Sequence, residues 1–77
     1  NTILFQWQGT DPLEAVPMGE LADRCLEFLK SKDSLTEIEA WAERNRAGLN
    51  EFWARSKSDA LAVKQTMEAR VKALEAE

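Results

Sequence analysis

The 77-residue chain contains no histidine and one cysteine, and these two shortages exclude several kinds of chemistry. Without histidine there is no imidazole for general acid–base catalysis or for metal binding. The single cysteine, Cys25, has no partner for a disulfide, and alone it does not make a structural zinc site. The three glycines lie far apart, so they form no phosphate-binding loop. We therefore expect no catalytic residues, no cofactor and no metal in this chain.

The sequence also lacks a long apolar run and an excess of basic residues. No apolar stretch approaches the roughly 18 residues of a membrane-spanning helix, and no signal peptide is visible. Small secreted domains usually carry several disulfides, so we expect the cytoplasm as the compartment. The net charge is −4, whereas nucleic-acid-binding domains are normally basic. The charge therefore favours a protein partner over direct binding of nucleic acid.

Residues 1–16 are predicted to form an extended arm and a turn, which would link the chain to an upstream domain of a larger intracellular protein. The chain begins at Asn1 rather than at a methionine, and this start is typical of an excised piece. Ile3, Phe5 and Trp7 recur at every second position, which is the period of a strand. No second strand is visible, so we expect the arm to pair with sequence outside this chain, to pack on the helices, or to self-associate with a second copy of the molecule.

Helix signals follow the arm. Asp11 and Pro12 have the pattern of a helix N-terminus, so a short helical turn is predicted there. The first main helix is predicted from about Pro17 to Ser31. Cys25 lies on its apolar face without a histidine partner, which favours a buried structural cysteine over a nucleophile.

The second helix is predicted to begin after Ser34, whose hydroxyl is placed to accept a hydrogen bond from the backbone N–H of Glu37. The Glu37 carboxylate is expected to accept a hydrogen bond from the backbone N–H of Ser34 in return. Its apolar spacing continues to about Ala54. Gly48 inside a helix costs about 1 kcal/mol relative to alanine, so a break between Asn45 and Gly48 is the main alternative.

A last helix is predicted from about Asp59 to Ala76. The pattern predicts an all-α fold, in which residues 17–77 form a small antiparallel three-helix bundle preceded by the extended N-terminal arm. The predicted core comprises Leu21, Cys25, Leu29, Leu35, Ile38, Leu49, Phe52, Val63, Met67 and Leu74.

Two tryptophans flank the apolar seam of the second helix. For Trp41 and Trp53, core packing is the first interpretation, and an exposed anchor for a partner is the alternative. Basic residues concentrate near the end of this helix. The simpler interpretation is a solvent-exposed face of mixed charge, which also suits the helix dipole, and a binding site is the alternative. The candidate partner-binding residues are Trp53, Arg55, Lys57 and Arg46.

Three stretches of the sequence have a familiar pattern. They are LTEIEAW at 35–41, NRAGLN at 45–50 and MEARVKAL at 67–74. Over about residues 34–74 the chain resembles the helical C-terminal regions of phage-type single-strand annealing recombinases, the RecT, Erf and Red-beta group. The DNA-annealing core of that group is not part of this sequence.

The resemblance implies a non-catalytic domain for protein–protein interaction in DNA recombination. Its expected partners are an exonuclease and the host single-strand-binding protein. The acidic, aromatic-tipped tail of the latter protein would then bind beside Trp53. Two other interpretations stay open, namely a helical subdomain of an enzyme whose active site lies outside this sequence, and a small DNA-binding helical domain.

Overall fold

The computed structural model describes all 77 residues, which form two strands followed by four helices. The elements are β1 (Thr2–Phe5), β2 (Glu14–Pro17), α1 (Met18–Ser31), α2 (Leu35–Arg44), α3 (Arg46–Arg55) and α4 (Lys57–Glu75). The fold is mostly helical, as expected, but it includes a small sheet and is not purely a three-helix bundle. None of the helices is long and apolar enough to cross a membrane.

Residues 1–16 do not form a lone arm, because β1 pairs with β2 in an antiparallel hairpin. Ile3 lies opposite Val16 in the register. Both side chains face the helices and are buried, as is Phe5, since alternate residues of a strand share one face. The prediction that no second strand is present is therefore wrong. The expectation that the arm packs on the helices is confirmed.

The predicted helical turn after Asp11 is also wrong. The Asp11 carboxylate accepts a hydrogen bond from the Gln8 N–H at 3.1 Å, and the Asp11 N–H donates to the Gln8 carbonyl at 3.1 Å. These bonds close a turn that reverses the chain. Pro12 disfavours a helical conformation at Asp11, so the chain leaves the turn extended and enters β2.

The bounds of the first helix and the start of the second lie close to those predicted from the sequence. The Ser34 hydroxyl accepts a hydrogen bond from the Glu37 N–H at 3.2 Å, so the predicted cap is confirmed. The Glu37 carboxylate does not return to Ser34. It lies 3.7 Å from the Lys32 ammonium group instead.

The predicted continuous second helix is interrupted at Asn45, so the alternative of a break is the one observed. Asn45 has φ −104° and ψ 19°, outside the helical region, and it separates α2 from α3. One turn later, Gly48 faces β1 so closely that a Cβ atom there would lie 2.7 Å from the Leu4 carbonyl oxygen. The break thus allows α3 to pack against the hairpin.

The core lies between the hairpin and the helices. Its buried apolar residues are Ile3, Phe5, Val16, Leu21, Cys25, Phe28, Leu29, Ile38, Trp41, Phe52, Ala60 and Val63. Four residues predicted for the core, namely Leu35, Leu49, Met67 and Leu74, are only partly buried. Leu49, Met67 and Leu74 still pack against the edge of this core.

Candidate functional site

An apolar cleft of about 380 Å³ opens between α3 and α4. Its lining residues are Leu49, Asn50, Trp53, Ala60, Val63, Lys64 and Met67, and we call this surface the α3–α4 groove. Five of the seven are hydrophobic, so the floor of the groove is suited to apolar side chains. Two other clefts are smaller, at about 220 and 230 Å³, and each has only two hydrophobic lining residues.

Helical spacing explains why both walls of the groove are apolar. On α3, Leu49 and Trp53 are four residues apart and therefore lie one above the other. On α4, Ala60, Val63 and Met67 follow at intervals of three and four, which again selects one face. Only one residue separates the two helices, so the stripes are held side by side.

Trp53 forms part of the wall of the groove and is 37% exposed. Two ammonium groups lie near its ring. The Nζ atom of Lys57 is 5.7 Å from the ring centroid, and that of Lys64 is 5.5 Å away. These are cation–π distances, and such contacts contribute about 0.5–1 kcal/mol at exposed sites. The indole therefore lies at the surface beside two positive charges.

Of the four candidate residues predicted from the sequence, the structure brings two together. Trp53 lines the groove, and Lys57 lies beside its ring without lining the groove itself. Arg55 and Arg46 do not line the groove either. Arg55 donates hydrogen bonds to Glu51 at 2.9 Å and to the side-chain oxygen of Asn1 at 3.2 Å. It therefore holds the start of the hairpin against α3.

Arg46 forms an exposed ion pair with Glu43. The cation that the sequence analysis missed is Lys64. Lys57 and Lys64 are seven residues apart, which places both on one face of α4. That spacing was visible in the sequence, but the position of Trp53 beside this face was not.

No protein-family model, curated protein or solved structure matches the chain. The resemblance to annealing recombinases therefore remains an expectation.

Cys25 is fully buried in the core, as predicted. Burial raises the pKa of its thiol from the ordinary value of 9.0 to about 12. The thiol is consequently neutral at physiological pH, and the reactive thiolate form is suppressed. No three histidine, cysteine, aspartate or glutamate side chains lie close enough together to hold a metal ion.

A second aromatic surface surrounds Trp7, but its charges are already paired. Arg24 covers the Trp7 ring at 4.9 Å and forms an ion pair with Glu14 at 2.9 Å. The hydrogen bond from Arg24 lowers the pKa of the Glu14 carboxyl, and its Coulombic attraction acts in the same direction. Glu14 also accepts a hydrogen bond from the Trp7 indole N–H. This surface is therefore closed by its own side chains, in contrast to the α3–α4 groove.

Proposed function

We propose that the chain is a non-catalytic protein-interaction domain and that the α3–α4 groove is its docking surface. One observation supports this most strongly, namely an open apolar groove with the exposed indole of Trp53 in its wall. Tryptophan is enriched among the residues that dominate binding energy at protein interfaces. Apolar grooves left uncovered on a folded domain are typical of interaction sites.

The identity of the partner is proposed from the sequence resemblance rather than from the groove. The domain would belong to a larger cytoplasmic protein of DNA recombination or DNA metabolism. It would recruit an exonuclease or a single-strand-binding protein to that larger protein. The acidic net charge supports a protein partner, because phosphate binding favours basic surfaces.

A binding experiment tests the proposed function directly. The chain is immobilised, and purified phage-type exonuclease, bacterial single-strand-binding protein and a single-stranded DNA oligonucleotide are passed over it separately. We expect one of the two proteins to bind and the oligonucleotide not to bind at low salt. Binding of the oligonucleotide alone would favour the DNA-binding interpretation instead.

Two matched variants locate the site in the same experiment. Trp53→Ala removes a wall of the groove, whereas Leu13→Ala removes an even more exposed side chain, 62% accessible, from the hairpin connection. We expect Trp53→Ala to abolish partner binding and Leu13→Ala to preserve it. Equal binding by both variants would contradict the assignment of the groove.

A further inference from the structure

The basic residues beside the groove differ from most others in the chain, because they have no carboxylate partner. Five of the ten basic residues form ion pairs, namely Arg24, Lys32, Arg46, Arg55 and Arg70. Arg44 donates a hydrogen bond to the Trp7 carbonyl. Four lysines remain, and two of them, Lys57 and Lys64, lie beside Trp53. In a chain of net charge −4, this position presents uncompensated positive charge.

The length of the groove is set by its helices. Lys57 and Lys64 are two turns apart on α4, which corresponds to about 10 Å. The apolar residues of α4 that line the groove, from Ala60 to Met67, cover the same distance. A partner helix with apolar residues at positions i, i+3 or i+4, and i+7 presents a stripe of this length.

The floor of the groove offers few partners for hydrogen bonds. Asn50 and Lys64 are its only polar lining residues. An extended peptide would bring backbone N–H and C=O groups against this apolar floor, and unpaired buried groups are costly. A helix satisfies its backbone internally, so it enters the groove with side chains alone.

We propose that the segment bound in the α3–α4 groove is an acidic amphipathic helix. Its apolar side chains insert between Trp53 and Met67, and carboxylates beside that stripe pair with Lys57 and Lys64. The inference rests on the proposed function, since it specifies the chemistry of the partner at the same groove. It is independent of which protein supplies the helix.

Designed peptides test this chemistry with the 77-residue chain itself. The first probe is a labelled peptide of about four turns, with an apolar stripe flanked by glutamates. The second has the same composition in an order that destroys the stripe. The third carries lysine in place of glutamate, and the fourth carries two central prolines that prevent a helix. Fluorescence anisotropy measures affinity, and circular dichroism measures helix formation in the complex.

Two double variants with the same charge change separate local pairing from general electrostatics. Lys57→Glu with Lys64→Glu reverses the pair at the groove. Lys30→Glu with Lys72→Glu reverses two lysines that also lack carboxylate partners and do not line the groove. Thermal melting verifies that both variants remain folded.

We expect the first peptide to bind and to gain helix, and the other three to bind at least about tenfold more weakly. The groove variant should lower the affinity for the first peptide by about tenfold or more, and the control variant by less than about threefold. Equal weakening by both variants would overturn the inference, as would tighter binding of the basic peptide.

If the proline-containing peptide binds as tightly as the first peptide, the occupant of the groove is extended, and the inference of a bound helix is overturned. If no peptide binds but purified exonuclease or single-strand-binding protein does, the helix inference is wrong while the proposed function stands. If neither the peptides nor the proteins bind, both are wrong.

Discussion

The side-chain amide of Asn45 forms two hydrogen bonds of 2.8 Å with the main chain of Gln6, one as acceptor and one as donor. Asn45 is 2% exposed and stands at the break between α2 and α3. Its amide N–H group also donates to the Trp41 carbonyl at 2.9 Å. One side chain thus joins the hairpin to the corner of the helices and fixes the direction of α3, which forms one wall of the groove.

Replacing Asn45 by alanine should destabilise the fold. The change leaves the N–H and C=O groups of Gln6 without partners in a partly buried position, which costs about 1–3 kcal/mol. Urea denaturation of Asn45→Ala measures the loss. Asn50→Ala is the matched control, because Asn50 is exposed, and it should change stability by less than about 0.5 kcal/mol. Similar unfolding midpoints for the two variants would show that the contact with Gln6 is dispensable.

Gly48→Ala should also destabilise the fold, although alanine favours helices by about 1 kcal/mol over glycine. The added Cβ atom would lie 2.7 Å from the Leu4 carbonyl oxygen and 2.8 Å from the Phe5 ring, so α3 has to move away from the hairpin. Gly19→Ala in α1 is the control, since nothing apart from its chain neighbours and the nearby backbone of its own helix lies within 4 Å of the added Cβ. That variant should be neutral or slightly stabilised, and a melting temperature raised by both changes would contradict the close packing.

Truncation of the core at Ile38 or Phe52 should cost about 2–5 kcal/mol, because both side chains are fully buried. In a domain of this size such a loss approaches the total stability. Leu61→Ala, at a site that is 38% exposed, provides the comparison and should have a small effect. Thermal melting is the measurement. Unchanged melting of both Ile38→Ala and Phe52→Ala would mean that the seam of α2 and α3 does not face the core.

The buried thiol of Cys25 predicts a loss of stability at alkaline pH. Its pKa is about 12 in the folded chain and 9.0 ordinarily, so above pH 9.0 the thiol ionises in the unfolded chain but not in the folded one. The contribution to stability is complete below pH 9.0 and falls by about 1.4 kcal/mol per unit as pH rises toward 12.

Urea unfolding of the wild type and of Cys25→Ala, at about pH 8 and about pH 10, isolates this effect. The wild type should lose more stability than the variant, which lacks the titrating group. Parallel losses would show that the thiol does not titrate differently in the two states. Slow reaction of Cys25 with a thiol reagent under native conditions provides a second readout.

Local signals made part of the fold predictable. The bounds of α1 and the Ser34 cap depend on residues within a few positions of each other, and both were found. The strand β2 was missed because only Val16 among its four residues is buried, and its pairing partner lies at the start of the chain. The break at Asn45 likewise depends on a contact between distant parts of the chain. The Gln6 main chain, which the Asn45 side chain binds, is 39 residues away in sequence.

For the candidate site too, only the part that depends on nearby residues was predictable from the sequence. Trp53 and Lys57 are close in sequence, and their proximity follows from the chain itself. Lys64 joins them only because α4 folds back along α3. Arg55 does not line the groove, and its hydrogen bonds to Thr2 and Asn1 depend on the hairpin, which the sequence did not predict.

The indole N–H signals of the three tryptophans test the docking surface most directly. Trp53 lies at the groove, Trp41 is buried, and Trp7 is bonded to Glu14, so each reports on a different part of the molecule. Nuclear magnetic resonance spectra are recorded while unlabelled exonuclease or single-strand-binding protein is added, with Trp53→Phe assigning the signal. We expect the Trp53 signal to shift or broaden at partner concentrations that leave the signals of Trp7 and Trp41 in place. An unmoved Trp53 signal, in a complex that perturbs Trp7 instead, would contradict the proposed docking surface.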